Sequence, residues 1–278
     1  MSEILEKTPF NESDLRDLSS TIELIYGQDF SHYAKNLLRR RVTKTMEQCS
    51  INEFSVFLKL ICDDVGTYKK LLNNLSIHVT SLYRDPEVFY YFRQKVIPRL
   101  KTYPYIRIWC AGGSSGEEAF SLAILLKEAG IYDRSLIYAT DVSSNIIEKA
   151  SNSAFPLSKM AEYTANYYQS GGINDFSEYY RVRSSMAYFD SSLKENIVFS
   201  THNLATDSLF NEFQLILCRN VLIYFDDYLT NKALTLIHDS LVPFGTLSLG
   251  MSEGMAGYKI KNHFQVTNNK LKIFRRID

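Results

Sequence analysis

The chain has 278 residues, 45% apolar and 13% aromatic, enough to bury a sizeable core and too apolar for a disordered segment. Lys+Arg and Asp+Glu balance at 31 each, so no whole-molecule field draws a polyanion and any electrostatic message is local. No stretch approaches the roughly 20 apolar residues of a membrane span, and MSEILEKTPFNESD is acidic rather than a basic leader, so a soluble cytoplasmic chain without direct membrane insertion is expected.

In chain order, Glu12–Tyr26, Ser31–Met46, Ile51–Cys62 and Val65–Ile77 each carry apolar residues three and four apart and predict a small helical bundle. From Ile106 the rhythm changes. Strand-like runs at Ile106–Ala111, Leu136–Asp141, Phe213–Cys218 and Thr246–Met251 alternate with helical stretches at Glu117–Glu128, Ser144–Asn152 and Tyr228–Leu241. That alternation predicts an α/β fold with a mostly parallel sheet covered on both faces. Two alternating runs around Asn268-Asn269, in His263 to Ile277, predict a terminal antiparallel hairpin. The Tyr- and Ser-rich stretch around 156–195 fits neither rhythm and is expected to be a small β insertion between the third and fourth units of the sheet. Cys49, Cys62, Cys110 and Cys218 are far apart and lack His at ligand spacing, so neither a metal site nor a disulfide framework is indicated.

The segment IRIWCAGGSSGEEAFSLA, Ile106 to Ala123, places a glycine turn between a strand and a helix, where open parallel sheets bind nucleotides. As a dinucleotide fingerprint it is imperfect, with Ala111 at the first glycine position and Gly113 and Gly116 at the others. A pyrophosphate wants the bare positive end of the helix, and Glu117 and Glu118 oppose it. A cationic ligand is favoured instead. S-adenosylmethionine fits, because it carries a sulfonium and an ammonium on a nucleoside that still needs close backbone approach. One glutamate could equally serve only the helix dipole. Asp141 ends the second run 25 residues beyond Gly116, near the spacing of a ribose-binding acid. Seen in isolation it is as good an N-cap; after the glycine loop, ribose binding is the better reading.

Four segments then resemble the CheR family of chemotaxis protein-glutamate O-methyltransferases: VTSLYRDPEVF (Val79–Phe89), RIWCAGGSSGEEAFSLA (Arg107–Ala123), YATDVSSNIIEKA (Tyr138–Ala150), and HNL (His202–Leu204) followed by LILCRNVLIYFD (Leu215–Asp226). The resemblance implies a class I SAM-dependent methyltransferase domain at 77–278, Rossmann-like with a terminal antiparallel hairpin and the small β insertion. Before it stands an all-α domain at 1–76 for receptor recognition. It implies cofactor contacts at His78, Thr80, Arg84, Glu117, Asp141, Asn203, Leu204, Arg219 and Asn220, no metal, and catalytic roles near the methyl group for Arg84 and Tyr224. Without it, Arg84 reads as a surface cation paired with Asp85 or Glu87, and Tyr224 as core packing. Three departures stand out: His78 where relatives often have Asn, Leu82-Tyr83 where Phe-Phe is common, and GGSSGEE in place of AASTGEE.

Tyr33–Met46 holds Lys35, Arg39, Arg40, Arg41 and Lys44 with no acid, and Lys35, Arg39 and Arg40 project away from its apolar arc. Most such faces are merely solvated; the resemblance makes this one a candidate docking surface for the chemoreceptor cytoplasmic domain. The expected activity is methylation of receptor glutamates by a monomer. Two alternatives stay open: a cofactor-binding scaffold without turnover, and a methyltransferase for another substrate. Nucleic acid is disfavoured as a partner, because the fourth strand ends Cys218-Arg219-Asn220-Val221 rather than in the Pro-Pro-aromatic motif that grips a flipped base.

Overall fold

A computed structural model describes residues 10–75 and 80–278. His78, one of the expected cofactor contacts, and the last residues of the fourth expected helix lie outside the described residues. The chain divides into two compact units, Met1–Ile77 with Ile223–Lys232, and His78–Leu222 with Ala233–Asp278.

In the first unit the helices are α1 (Glu12–Tyr26), α2 (Lys35–Gln48), α3 (Phe54–Asp63) and α4 (Val65–Leu75). Local chemistry sets the ends of α1. The Asn11 side chain accepts from the Ser13 and Asp14 amides, Asp14 accepts in return from the Asn11 amide, and Gly27 closes the helix in the left-handed region at φ 67°. Apolar stripes of all four helices meet in one core: Leu18 and Ile22 of α1, Val42 and Met46 of α2, Phe57 and Ile61 of α3, Leu71 and Leu75 of α4. Tyr26 stacks on Tyr68 at 3.7 Å between centroids. Segment Ile223–Lys232 joins this unit through a backbone bridge of Tyr33 with Phe225 and an Ala34 amide donating to the Tyr224 carbonyl at 2.9 Å.

The second unit begins, among the described residues, with a helical segment of α5 (Pro86–Tyr91), a π turn (Phe92–Val96) and α6 (Ile97–Leu100). Then follow β1 (Ile106–Ala111), α7 (Glu117–Glu128), β2 (Ser135–Asp141), α8 (Ser144–Ser151), β3 (Ala154–Pro156), α9 (Met160–Gln169), β4 (Tyr180–Arg183) and β5 (Met186–Phe189). The chain continues through β6 (Ile197–Thr201), β7 (Phe213–Cys218), α10 (Asp227–Ser240), β8 (Leu241–Leu249), β9 (Phe264–Asn268) and β10 (Ile273–Arg276). Seven strands form one sheet in the order β6-β2-β1-β7-β8-β10-β9. β6, β2, β1, β7 and β8 run parallel, and β10 is antiparallel to both β8 and β9. This is the class I methyltransferase arrangement, with the strand order reversing between β1 and β7.

Burial explains why these runs form strands. β1 is buried at every position but one, as a central strand with both faces covered must be, and α7 is buried almost all round. Trp109 is fully buried, stacked on Phe213, with its indole N–H on Thr140 Oγ1 at 2.8 Å. β3, β5 and β4 make a separate small antiparallel sheet. The expected position of the insertion, between the third and fourth units, is corrected: it falls between β2 and β6, the second and third strands of the main sheet in chain order. It also contains α9, whose Tyr163 and Tyr167 are fully buried.

A carboxylate-bounded cleft at the end of the parallel strands

The glycine turn after β1 is fixed by its neighbour strand. The amides of Gly112 and Gly113 both donate to the Thr140 carbonyl, at 2.9 and 2.8 Å. Gly112 has φ 76°, and a Cβ there would lie 2.4 Å from Val221 Cγ2, so a side chain is excluded by conformation and by space. Gly116 has φ 94° and opens α7.

At the end of β2, Asp141 is buried and spans this turn. One carboxylate oxygen accepts from the Ser114 amide at 3.1 Å and the other from the Ser143 amide at 3.1 Å. Ser143, not Asp141, is the N-cap residue of α8, which corrects the N-cap reading of Asp141; the Asp141 carboxylate holds the amide of that cap residue instead. It also ties the start of α8 to the glycine turn. Burial pushes its carboxyl above the ordinary range, and the amides of Ser143, Ser114 and Val142 offset part of that shift. The His202 amide donates to the Asp141 carbonyl at 3.1 Å, which brings the Asn203-Leu204 turn beside it. Asn203 and Leu204 are buried, and Asn203 Oδ1 holds the Ala205 amide at 2.8 Å.

Neither glutamate of the loop stands bare. Glu117 is 1% exposed and accepts from Ser115 Oγ at 2.5 Å and Tyr163 Oη at 3.0 Å, with Lys159 Nζ 3.8 Å away. Glu118 is answered by Arg219 at 3.2 Å; burial raises its carboxyl, and the guanidinium pulls it back. The expectation that both carboxylates oppose a ligand at the helix start is therefore amended, because local cations and hydroxyls already engage them.

Arg219, 2% exposed at its side chain, reaches further. It donates to Asp85 Oδ2 at 2.6 Å and to the Arg84 carbonyl at 3.1 Å, and its guanidinium lies over the Phe89 ring. These contacts hold a strained loop: Tyr83 and Asp85, on either side of Arg84, both have positive φ, at 51° and 55°. From the other side the Ser121 hydroxyl accepts the Tyr83 amide at 2.8 Å. The carboxylates of Asp85 and Glu87, the partners expected for Arg84, also meet Arg219 at 2.6 Å and Lys270 at 2.8 Å.

The sequence reading missed Glu253. It lies beyond β8, is buried, and accepts the amides of Asn220 at 2.9, Val221 at 2.8, Leu222 at 2.7 and Gly250 at 2.5 Å. Its one carboxylate builds the turn after β7 and sets Asn220 at φ 61°, with Asn220 Oδ1 buried and unpartnered. Its only sequence signal is an acid in the Gly-rich stretch GMSEG. Lys159 and Tyr163, both from the insertion, were likewise not expected to touch the loop. Thr80 sits at the other margin with its carbonyl near Lys159 Nζ, at 3.5 Å. Tyr224 belongs with the first unit, through the backbone bond described above.

Among the described residues this cleft is rich in acceptors and poor in free cations. The Asp141 carboxylate accepts from backbone amides on both oxygens, and Asn220 Oδ1 is buried and unpartnered. Such a set fits a nucleoside diol that carries positive charge, and suits diphosphate poorly. Fold and donor set together define an S-adenosylmethionine-dependent methyltransferase. Residues 78–273 match the CheR methyltransferase SAM-binding domain and residues 13–76 the CheR methyltransferase all-alpha domain, so the chain belongs to the CheR methyltransferase family. It is 40% identical over 263 residues to the Cher3 protein of Pseudomonas putida, covering 95% of this chain and 96% of the relative. It is 27% identical over 263 residues to the chemotaxis protein methyltransferase of Borreliella burgdorferi, covering 87% and 89%. To that of Escherichia coli it is 23% identical over 261 residues, covering 91% and 88%. No helix among the described residues is long and apolar enough to cross a membrane.

Proposed function

We propose that this protein transfers the methyl group of S-adenosylmethionine to glutamate side-chain carboxylates on the cytoplasmic domains of chemoreceptors, forming methyl esters. The observation that carries the proposal is that one chain holds both CheR domains in order, at 13–76 and 78–273. The names of the Borreliella and Escherichia relatives, chemotaxis protein methyltransferase, support the same reading.

The bound cofactor would supply an electrophilic methyl on sulfonium sulfur. A glutamate with pKa near ~4.3 is already ionised at neutral pH, so no general base is needed and placement can supply roughly 7–11 kcal/mol of the barrier. In this reading Asp141 accepts from the ribose hydroxyls, its carboxylate held by backbone amides. His78, Thr80, Glu117, Asn203, Leu204 and Asn220 complete the cofactor cleft, Glu117 through a carboxylate already fixed by Tyr163 and Ser115. Arg84 grips the incoming carboxylate with its planar fork. Arg219 acts as the positioning residue for Arg84, because its guanidinium is spent on the Arg84 carbonyl, Asp85 and Glu118. The family resemblance gives Tyr224 the hydrogen bond that orients the carboxylate.

Residues 1–76 serve receptor recognition in this proposal, with α2 as the docking face. Arg40 is exposed there, while Lys35 pairs with Glu12 at 3.0 Å and Arg39 lies over the Phe10 ring at 5.9 Å. Incubation with labelled S-adenosylmethionine and cognate receptor cytoplasmic domains is expected to give base-labile label. The same incubation with every receptor glutamate of the methylation region changed to alanine is expected to give none. Label that resists base, or that survives the glutamate changes, would refute the proposal.

A further inference from the structure

Three side chains with no role assigned above converge at the end of the chain. His238 lies near the end of α10, His263 directly before β9, and Asp278 two residues beyond β10. One ligand atom from each lies within 4.8 Å of the other two. His238 Nε2 faces Asp278 Oδ1 at 3.1 Å, and His263 Nδ1 faces the other oxygen, Asp278 Oδ2. The two imidazole rings meet edge to face with centroids 5.1 Å apart.

His238 Nδ1 faces Asp239 Oδ1 at 2.9 Å, so both nitrogens of one ring point at carboxylate oxygens. A neutral imidazole has a single N–H. If that hydrogen bridges Nδ1 to Asp239, the Nε2 lone pair faces an Asp278 lone pair with nothing between them. Only a proton or a cation can bridge that contact. A carboxylate on the far nitrogen of a histidine is also how metal-binding histidines are commonly oriented, with the tautomer fixed so that the near nitrogen offers its lone pair. His238 is 10% exposed at its side chain and packs against Phe264, so its ring is not free to turn away. Arg276 fixes the surrounding backbone, donating to the carbonyls of His238, Leu241 and Asp278, and its Nε is 3.6 Å from Asp278 Oδ1.

We propose that His238, His263 and Asp278 bind one divalent transition-metal ion, with Asp239 as the outer carboxylate. Two imidazoles and one carboxylate are a donor set for zinc and its neighbours, not for calcium or magnesium, which take oxygen ligands. The ion joins the end of α10 to both strands of the terminal hairpin and so staples the sheet edge at β9. It has no part in methyl transfer.

The test uses the full chain, stripped with EDTA and titrated with zinc chloride by calorimetry, alongside thermal unfolding at each zinc concentration. One zinc per chain and a midpoint that climbs with zinc are expected. His263→Ala should abolish both effects. Asp239→Asn should weaken binding about 10–100-fold, the usual cost of losing an outer-shell partner. Both substituted side chains are about half exposed, so the variants are expected to fold. His263→Ala also subtracts zinc taken by the exposed thiol of Cys62. Equal zinc binding by the wild type and His263→Ala, or none by either, would overturn the proposal and leave a proton-bridged His–Asp cluster. So would wild-type affinity in Asp239→Asn.

Discussion

Arg219 illustrates how one side chain gains its function from three partners. Its planar fork serves Glu118 with one nitrogen and Asp85 and the Arg84 carbonyl with the other. Lysine keeps the charge but not the fork. Arg219→Lys is therefore expected to lower the maximal methylation rate by up to about 10²-fold, the cost of misplacing a reacting group by an ångström, with cofactor affinity nearly unchanged. Steady-state kinetics beside calorimetry with S-adenosylhomocysteine separates the two, and full activity in the lysine variant would remove the positioning role. Asp141 makes a different prediction. Burial raises its carboxyl above the ordinary value of 3.8, so as pH falls it takes up a proton sooner than a solvated aspartate. Protonation replaces one acceptor with a donor, so cofactor affinity should decline on acidification before the ordinary carboxylate range is reached. Asp141→Asn should bind weakly at every pH and lose that acid limb.

Two helix starts in the first unit, those of α1 and α4, rest on short polar side chains, whereas α2 and α3 have no side-chain cap. At the start of α4, Asp64 accepts from the Thr67 hydroxyl at 2.7 Å and from the amides of Gly66 and Thr67, both at 2.9 Å. The Thr67 hydroxyl bond, then those amides, hold its carboxyl below the ordinary value of 3.8. For an acid whose folded-state value is depressed, the stabilisation is present above the unfolded value and disappears as pH falls through the folded one. Asp64→Ala should therefore unfold at lower temperature than wild type at neutral pH, and the gap should close as the pH is taken well below 3.8. A gap independent of pH would mean that packing, not the charged cap, is responsible. The β8 element shows the opposite dependence on context. Pro243 and Gly245 speak against a strand, yet β8 begins at Leu241, with Phe244 at φ 64° and a register shift against β7 between Phe213 and Leu215.

At the scale of the whole molecule, 31 basic and 31 acidic residues cancel, so partner choice depends on where charges cluster. Arg40 and Lys44 are exposed on α2, and reversing both to glutamate should weaken receptor methylation while leaving cofactor binding intact. The loss should be greatest at low salt, since exposed charges more than about 10 Å apart are screened at 0.1 M. Methylation unchanged at low salt would take α2 out of receptor docking.

How much was legible in advance follows from how local each determinant is. α1, β1, α7 and β7 have the bounds expected from periodicity, because their caps, glycines and apolar patterns act within a few residues. The glycine turn, Asp141 and the segments that carry the family likeness are likewise contiguous, and they sufficed for fold, family and cofactor. β6 and α9 escaped notice because their burial is supplied by distant chain: β6 pairs only with β2, and Tyr163 and Tyr167 of α9 are covered within the core of the second unit. Glu253, 33 residues beyond Asn220, could not be matched to the amides it accepts, nor Arg219 to a loop 135 residues earlier. Sequence by itself determined the locally encoded elements, such as α1, β1, α7 and β7, and the ligand class, since backbone propensity and glycine conformation are properties of neighbouring residues. Only the tertiary structure decided which buried charges meet, because desolvation makes each such group costly until the fold delivers its partner.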